Sequence, residues 1–272
     1  MASDLDGTLI GADFRFRPRS LRALTALEAA GVPVVFVTGR PARWLHPLSE
    51  QLAPLCPVST VICANGAMIY DVSAGQVLAA DTFTGRIALD VAHSLRTSIP
   101  GVCFSAETLR GVVAEPGWVP TDRTGMEDVT VGGIQSVLRP EDAVVKFLAK
   151  HDEYDPHDFV QQVRQHADSQ VSVTHSVPSS ALAEMSRWGL SKAEALKSVC
   201  AEMGVEGSRV MAFGDMTNDI EMLTWAGYGF AVASGDPAVV EAVKRTAPPF
   251  QEDGVAQIIE EFLARRCGER AV

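Results

Sequence analysis

Residues 3–11 of this 272-residue chain read SDLDGTLIG, and this stretch places two aspartates, Asp4 and Asp6, one residue apart. In an extended segment, side chains at positions i and i+2 point to the same side, so the two carboxylates repel each other. A Gly-Thr turn follows at once. Taken alone, the stretch fits equally well an acidic strand end before a turn and a strand end that carries a site for a positively charged partner.

The segments that follow predict a parallel sheet. Residues 32–40, VPVVFVTGR, form a continuous apolar run, which is typical of a strand buried on both faces. An amphipathic helix is predicted before it, at residues 20–30, and Pro41 is predicted to open another helix over residues 41–52. STVICANGAMIY, residues 59–70, is predicted to be a further strand. Strands and helices in alternation indicate an α/β fold.

The same alternation returns near the other end of the chain. We predict a helix at 191–204, a strand at 208–215, a helix at 218–227, a strand at 228–234, a short helix at 236–247 and a closing helix over 253–267. Between the two halves, residues 83–186 predict an α+β insert, with helices near 85–97 and 156–167 and a strand in AVVKFLAKH, residues 143–151. The predicted parts are therefore a core at 1–82 and 187–272 and an insert at 83–186.

Composition limits the partners. The chain is 47% hydrophobic and 21% charged, its net charge is -11, and it has no dense run of Lys and Arg, which argues against nucleic acid or an anionic membrane. No apolar run is long enough for a membrane span and no secretion signal is evident. The five cysteines (Cys56, Cys63, Cys103, Cys200 and Cys267) are scattered along the sequence, so we expect reduced thiols in a cytoplasmic protein. We expect this protein to be a monomer or a small homo-oligomer.

Two further places hold residues suited to a phosphate group. Thr38 and Gly39 close the apolar strand before a predicted helix, where a hydroxyl, backbone amides and a helix N-terminus can bind an anion. For this motif alone, an ordinary turn is the plainer interpretation. Lys192 lies at the start of a predicted helix, where a cation opposes the helix dipole. It is either a surface lysine or a residue that holds a phosphoryl oxygen and offsets the crowded carboxylates.

The last place is FGDMTNDIEML, residues 213–223, where a buried strand ends. Asp215 lies at the predicted tip of the strand, and Asn218 and Asp219 lie at the head of the next helix, where Asx residues are often only caps. We predict that all four places lie at the carboxyl ends of parallel strands, the edge at which open α/β sheets bind ligands. Their joint occurrence in this order predicts one shared site.

The series DLDGT, TGR, a helix-initial Lys and GDxxND resembles the motif series of the haloacid dehalogenase superfamily of phosphatases. The size of the insert and the segment ANGAMIYD, residues 64–71, are similar to the Cof-like members with a C2-type (IIB) α+β cap. The resemblance implies a Rossmann-like three-layer parallel-sheet core and a phosphomonoesterase. Since only three residues precede the first Asp, it also implies either a short first strand or a start that lies upstream.

The resemblance implies a mechanism through an aspartyl-phosphate. Asp4 would be the nucleophile, and Asp6 would protonate the leaving oxygen and then deprotonate the attacking water. Mg²⁺ would be held by Asp4, the backbone carbonyl of Asp6, and Asp215, with Asp219 as an acidic supporter or a further ligand. The two positive charges of Mg²⁺ would offset the repulsion between these neighbouring carboxylates.

A second set of residues would bind the phosphate oxygens and orient the groups around the phosphate: Leu5, Thr38, Gly39, Lys192 and Asn218. The family also implies that the insert contacts the rest of the substrate. Polar or aromatic residues near predicted turns are candidates for this contact, although for each of them a place on the surface or in the packing of the insert is the plainer interpretation: Trp118, Arg123, His175 and Arg187.

The expected substrate is a small phosphorylated metabolite, and sugar phosphates, polyol phosphates, pyridoxal phosphate and flavin mononucleotide all stay open. The alternatives are a phosphatase dedicated to one phosphosugar, such as a mannosylglycerate phosphate, and a phosphohexomutase. A non-catalytic protein that binds phosphorylated metabolites is the alternative from a different class.

Overall fold

The computed structural model describes residues 1–45, 50–51, 60–118, 129–167, 169–175 and 179–270. The chain divides into two compact units, one made of residues 1–79 and 191–272 and the other of residues 80–190. The predicted insert boundaries, 83 and 186, fall a few residues inside the second unit. The first unit is therefore assembled from two segments that are far apart in the sequence.

The strands, in chain order, are β1 (Ala2–Ser3), β2 (Val35–Val37), β3 (Thr60–Cys63), β4 (Met68–Asp71), β5 (Gln76–Ala80), β6 (Phe83–Thr84), β7 (Cys103–Thr108), β8 (Gly111–Ala114), β9 (Thr130–Val131), β10 (Ala143–Lys150), β11 (Val171–Thr174), β12 (Leu182–Arg187), β13 (Met211–Gly214), β14 (Tyr228–Val232) and β15 (Thr246–Ala247). The helices are α1 (Pro18–Ala29), α2 (Gly85–Ser98), α3 (Ile134–Val137), α4 (Pro156–His166), α5 (Lys192–Glu202), α6 (Ile220–Trp225), α7 (Pro237–Ala242) and α8 (Gly254–Arg270).

The first unit contains an eight-stranded sheet in the order β15-β14-β13-β1-β2-β3-β4-β5. The strands from β15 to β3 pair in parallel, and β4 is antiparallel to β3. The first strand lies in the middle, because Ala2 pairs with both Val35 and Ala212. The carboxyl ends of β2, β1 and β13 are consequently neighbours at one edge of the sheet. The predicted parallel α/β core is confirmed.

Apolar strand residues explain why this sheet forms where it does. Val35 and Val37 belong to one buried cluster with Leu196 of α5 and Leu223 of α6. Phe36, between the two valines, is also buried and its ring lies 5.7 Å from that of Phe16. Because alternate strand residues point to opposite faces, both faces are covered, which is why the strand reads as an unbroken apolar run.

The second unit contains a seven-stranded sheet in the order β11-β12-β10-β7-β8-β9, with β6 also pairing with β10. The rings of Phe104 and Phe147 stack at 5.3 Å in its core, which also contains Leu95 of α2 and Phe159 of α4. The predicted helices near 85–97 and 156–167 and the strand within 143–151 are confirmed. None of the described helices is both long enough and apolar enough to cross a bilayer.

Three predicted elements of the first unit differ from the structure. The helix predicted over residues 236–247 ends at Ala242, and Thr246–Ala247 form β15 instead. In place of one strand over 59–70, residues 60–71 form two, β3 and β4, because Ala64, Asn65 and Gly66 have positive φ angles of 51°, 58° and 106° and reverse the chain. The helix predicted to open at Pro41 begins instead as a short 3₁₀ turn, Ala42–Trp44, which Pro41 precedes in an extended conformation. Residues 46–49 and 52 of that predicted helix lie outside the described part of the chain.

Candidate active site

Three carboxylates meet at the carboxyl edge of the parallel sheet. Asp4 directly follows β1, Asp215 directly follows β13, and Asp219 precedes α6. One oxygen of each lies within 4.8 Å of the other two, and all three residues are buried. The adjacency of β1 and β13 explains why residues from opposite ends of the sequence come together here.

Lys192 is the buried cation of this cluster. Its Nζ donates to Asp4 Oδ1 at 2.6 Å and to Asp219 Oδ1 at 2.7 Å, and its side chain is 2% exposed. The prediction that Lys192 lies at the start of a helix is confirmed, because it is the first residue of α5, whose N-cap is Ser191. The prediction that this place also follows a parallel strand is wrong, since the strand before it, β12, pairs only antiparallel among the described residues. The lysine reaches the carboxylates through the length of its side chain.

One lysine does not balance three carboxylates. Burial raises the pKa of Asp4 well above its ordinary value; Lys192 lowers it, and Asp219 raises it further. Burial and the Asp219 carboxylate likewise raise the pKa of Asp215, to about 7. Burial lowers the pKa of Lys192, but its ion pairs with Asp219 and Asp4 outweigh burial and hold this pKa above its ordinary value. The cluster therefore attracts either a proton or a further cation.

Asp219 also shapes the loop that carries Asp215. Its Oδ2 accepts hydrogen bonds from the backbone N–H groups of Asp215 and Met216 at 3.1 and 3.0 Å. Thr8 Oγ1 donates to Asp215 Oδ1 at 3.2 Å. Gly7, at φ 74°, allows the first loop to approach this closely, because a Cβ there would lie 2.3 Å from Asp215 Oδ2. The two loops are thus fixed against each other.

Asp6 points away from the buried cluster and binds Arg40. The guanidinium donates two hydrogen bonds to its carboxylate, from Nε at 2.7 Å and from Nη2 at 2.6 Å. The same guanidinium lies over the rings of Phe14 and Trp44, at 4.2 and 5.4 Å from their centroids. A two-pronged ion pair clamped by aromatic rings fixes the orientation of the Asp6 carboxylate.

The predicted phosphate-binding residues border the same edge. The Leu5 amide N–H has no acceptor among the described residues, which leaves it available to an anion. The buried Thr38 hydroxyl accepts from Arg40 N at 3.1 Å, and its proton can still be donated. Gly39 lies directly beside Asn65, since a Cβ at position 39 would be 3.0 Å from Asn65 Oδ1.

Asn218 and Asn65 are joined by a hydrogen bond, from Asn218 Nδ2 to Asn65 Oδ1 at 3.0 Å. Asn218 Oδ1 is buried without a partner among the described residues. Because a buried amide oxygen without a donor is costly, this atom marks a place where a further polar group fits. The Asn65 bond ties the segment at 64–71 to the loop that follows β13.

The donor set fits a magnesium ion. Mg²⁺ prefers carboxylate and carbonyl oxygens and usually binds through one or two carboxylates together with substrate phosphate and water. Asp4 and Asp215 offer such oxygens, whereas both oxygens of Asp219 already accept hydrogen bonds. No histidine or cysteine belongs to this cluster among the described residues, so a softer metal is a poorer match.

The insert residues that were predicted as candidates for substrate contact make ordinary packing and polar contacts where the structure describes them. Trp118 packs against the small cluster formed by Val112 and its neighbours, and a ring nitrogen of His175 lies 3.0 Å from the backbone oxygen of Ser180. Arg187 pairs with Asp81 at 2.5 Å. Arg123 lies outside the described residues.

Three site residues were not predicted from the sequence as functional: Thr8, Arg40 and Asn65. Each stands inside a motif that was recognised, since Thr8 ends DLDGT, Arg40 ends TGR and Asn65 belongs to ANGAMIYD. The signal was therefore present. Their hydrogen-bond partners are 34 or more positions away along the chain, so sequence spacing alone did not reveal the contacts.

Known proteins match this chain over nearly its whole length. The sequence model described as haloacid dehalogenase-like hydrolase matches residues 1–259. Pyridoxal phosphate phosphatase YbhA of Escherichia coli (strain K12) is 29% identical, over 97% of this chain and 98% of its own. 5-amino-6-(5-phospho-D-ribitylamino)uracil phosphatase YitU of Bacillus subtilis (strain 168) is 27% identical, over 97% of both chains.

Among solved structures, the haloacid dehalogenase subclass IIB sugar phosphatase BT4131 has the same fold, with a TM-score of 0.80 at 21% identity, over 96% of this chain and 97% of its own. The predicted recognition as a Cof-like phosphatase and the prediction of an enzyme are both confirmed. With a family match that spans nearly the whole sequence, and with the four motifs converging at one sheet edge, the chain belongs to the haloacid dehalogenase-like hydrolases.

Proposed function

We propose that this protein is a Mg²⁺-dependent phosphomonoesterase that hydrolyses a small phosphorylated metabolite through an aspartyl-phosphate. The observation that carries the proposal is the buried cluster in which Lys192 joins Asp4 and Asp219 while Asp215 lies within 4.8 Å. A buried excess of negative charge destabilises a fold, so its presence at a ligand-binding sheet edge favours a catalytic role.

In the proposed reaction, Asp4 attacks the phosphorus and the leaving oxygen takes the proton of Asp6. Water then attacks the phosphorus of the aspartyl-phosphate and breaks its bond to Asp4, while Asp6 accepts a proton of that water, which releases phosphate and regenerates the Asp4 carboxylate and the protonated Asp6. Lys192, the Thr38 hydroxyl and the amides of Leu5 and Gly39 would bind the phosphoryl oxygens. Together they would neutralise charge that develops on those oxygens.

Asp4, the backbone carbonyl of Asp6 and Asp215 would hold the Mg²⁺. The ion would supply positive charge beside the phosphoryl group and lower the repulsion between that group and the carboxylates. Asp219, whose oxygens hold Lys192 and two backbone amides, would act chiefly as the acidic supporter of this shell. Asn218 would orient the shell through its bond to Asn65.

The names of two relatives narrow the range of substrates that we propose for this protein. YbhA is named for pyridoxal phosphate and YitU for a phosphorylated ribitylamino-uracil, so we propose a phosphorylated cofactor, a cofactor precursor or a sugar phosphate. We further propose that residues 80–190 select among such esters, and that the protein works in the cytoplasm. Cys63, Cys103 and Cys200, the unpaired cysteines among the described residues, suit a reducing compartment.

The direct test is phosphate release from a panel of phosphorylated metabolites, with Mg²⁺ and with excess chelator. We expect turnover with Mg²⁺ and a loss of about a hundredfold or more in chelator, because charge stabilisation by a bound ion contributes several kcal/mol. Mg²⁺ should also raise the melting temperature of the free protein, since an ion that binds only the folded state stabilises it.

Asp215→Asn should abolish that rise in melting temperature, while Asp90→Asn, on the exposed side of α2, should keep it. Full turnover in excess chelator would show that the metal assignment is wrong. Binding of the phosphorylated metabolites without phosphate release under any condition would instead favour the non-catalytic alternative.

The ion pair between Arg40 and Asp6 predicts a kinetic effect on the second step, the hydrolysis of the phosphoenzyme. The two hydrogen bonds from Arg40 fix the orientation of the Asp6 carboxylate, which must face the attacking water in the second step. We therefore expect Arg40→Ala to slow hydrolysis of the phosphoenzyme by about ten- to a hundredfold, within the range of general-base effects. With an aryl phosphate, rapid-mixing measurements should then show a burst of phenol followed by slow turnover.

Arg15→Ala is the matched control, because Arg15 is exposed on the loop that also carries Phe14. It should turn over like the wild type, without a burst. A loss of activity in Arg40→Ala that falls entirely on the first phosphoryl transfer would contradict the proposed action of this ion pair.

A further inference from the structure

A groove of about 630 Å³ lies at the edge of the first sheet opposite to the carboxylates. It is lined by the amino ends of four parallel strands, represented by Ala2, Val35, Met211 and Tyr228. Asp4 and Asp215 follow the carboxyl ends of two of those strands. The four residues of β13 span about 13 Å at the usual rise of a strand, so the groove is separate from the catalytic cluster.

The floor of the groove is apolar. Leu27 of α1, Leu196 of α5 and Phe262 of α8 line it, and two large apolar side chains stand at its mouth, Met203 at 44% and Tyr228 at 50% exposure. Its volume falls in the range of small-molecule sites, which are concave and mostly apolar with a few polar groups that fix orientation. The floor suits a hydrocarbon or aromatic body rather than a sugar.

The charged groups that line the groove all have the same sign. Arg209, Arg265 and Arg266 are among its lining residues, and Asp and Glu are absent from them, although the chain carries a net charge of -11. The side chains of Arg209 and Arg266 make no ion pair or hydrogen bond with any described residue. Among the described residues, the ion-pair partner of Arg265 is the exposed Glu261, at 3.6 Å, and such an exposed pair contributes little.

We propose that this groove is a binding site for a small amphipathic anion, with an apolar body on the floor and a carboxylate-type head paired with Arg209 and Arg266. Guanidinium groups bind such heads through paired, charge-assisted hydrogen bonds. The negative charge of the anion would pair with Arg209 and Arg266, which have no acidic partner among the described residues. The apolar body would cover the exposed side chains of Met203 and Tyr228. The site lies outside the proposed catalytic residues.

The test uses decanoate as the probe, with decan-1-ol as its uncharged counterpart, and isothermal titration calorimetry on the full chain. We expect one decanoate per chain and at least tenfold weaker binding of decan-1-ol. The double variant Arg209→Gln/Arg266→Gln should weaken decanoate binding tenfold or more, since each lost charge-assisted hydrogen bond costs about a factor of ten. Met203→Glu, which puts a carboxylate at the mouth, should weaken it as well.

Arg22→Gln, an exposed arginine of α1 outside the groove, is the matched control and should bind decanoate like the wild type. All of these variants should keep the wild-type melting temperature and aryl phosphate turnover, which separates this proposal from the catalytic one. Equal binding of decanoate and decan-1-ol, unchanged binding in the double variant, or no binding at all would overturn the proposal. So would a dimer that dissociates in the double variant, because the groove would then be an interface between two copies.

Discussion

Asp4→Asn should remove essentially all turnover, a loss of about a thousandfold or more, as expected when a nucleophile is replaced. Asparagine keeps the shape of the side chain but is a far poorer nucleophile, so the variant should still bind the substrate. In chelator its melting temperature should equal or exceed that of the wild type. Burial raises the pKa of Asp4, so ionising this carboxyl group costs more free energy in the folded protein than in the unfolded chain.

The neighbouring carboxylate should behave differently under the proposed mechanism. Asp6→Asn should slow hydrolysis most for esters with poor leaving groups, because those depend on the proton that Asp6 delivers. A beryllium fluoride adduct, observed crystallographically in the presence of Mg²⁺, should form on Asp4. Turnover retained in Asp4→Asn, or a trapped phosphoryl group on Asp6, would contradict the assignment of the nucleophile.

Lys192→Met should both inactivate and destabilise the protein. Methionine has a similar length but no charge, so Asp4 and Asp219 would lose their shared buried partner. Removing one member of a buried ion pair costs about 3–5 kcal/mol, which for a chain of this size lowers the melting temperature by about 6–20 °C. Loss of the phosphoryl contact should lower kcat/KM by about a thousandfold.

Two measurements make this prediction specific. Mg²⁺ should stabilise Lys192→Met more than it stabilises the wild type, because the variant has a larger unbalanced negative charge. Lys197→Met is the matched control on the same helix, since Lys197 is 40% exposed and pairs only with the exposed Glu194. That control should change stability by about 0.5 kcal/mol or less. A Lys192→Met protein that melts like the wild type in chelator would show that the lysine does not hold the carboxylates together.

Much of the core could be predicted because its strands are buried on both faces. Apolar runs such as the ones at Val35–Val37 and Met211–Gly214 leave few alternatives to a central parallel strand. Motif residues at the ends of such strands then necessarily share one edge of the sheet. The sequence therefore predicted both the fold class and the place of the carboxylate cluster.

Other features depend on tertiary contacts that no local pattern encodes. Residues 59–70 look like one strand in the sequence, since only the positive φ angles of Ala64, Asn65 and Gly66 turn the chain back. Lys192 was predicted at the start of a helix, but the sequence did not reveal that its long side chain reaches Asp4, which lies 188 positions earlier. Arg40 was not assigned a role of its own since its carboxylate partner, Asp6, lies 34 positions earlier.

The position of β1 has a consequence for protein synthesis. Its partner β13 is synthesised long after it, yet Ala2 must pair with Ala212 before the sheet is complete. At a ribosomal rate of about 5–20 residues per second, the first strand waits roughly 10–40 s for this neighbour. Residues 80–190, which are contiguous, can fold during that interval. A nascent chain that stops before residue 211 can pair β1 with β2 but lacks Asp215 and Asp219, so the buried carboxylate cluster assembles only after β13 and residue 219 have been made.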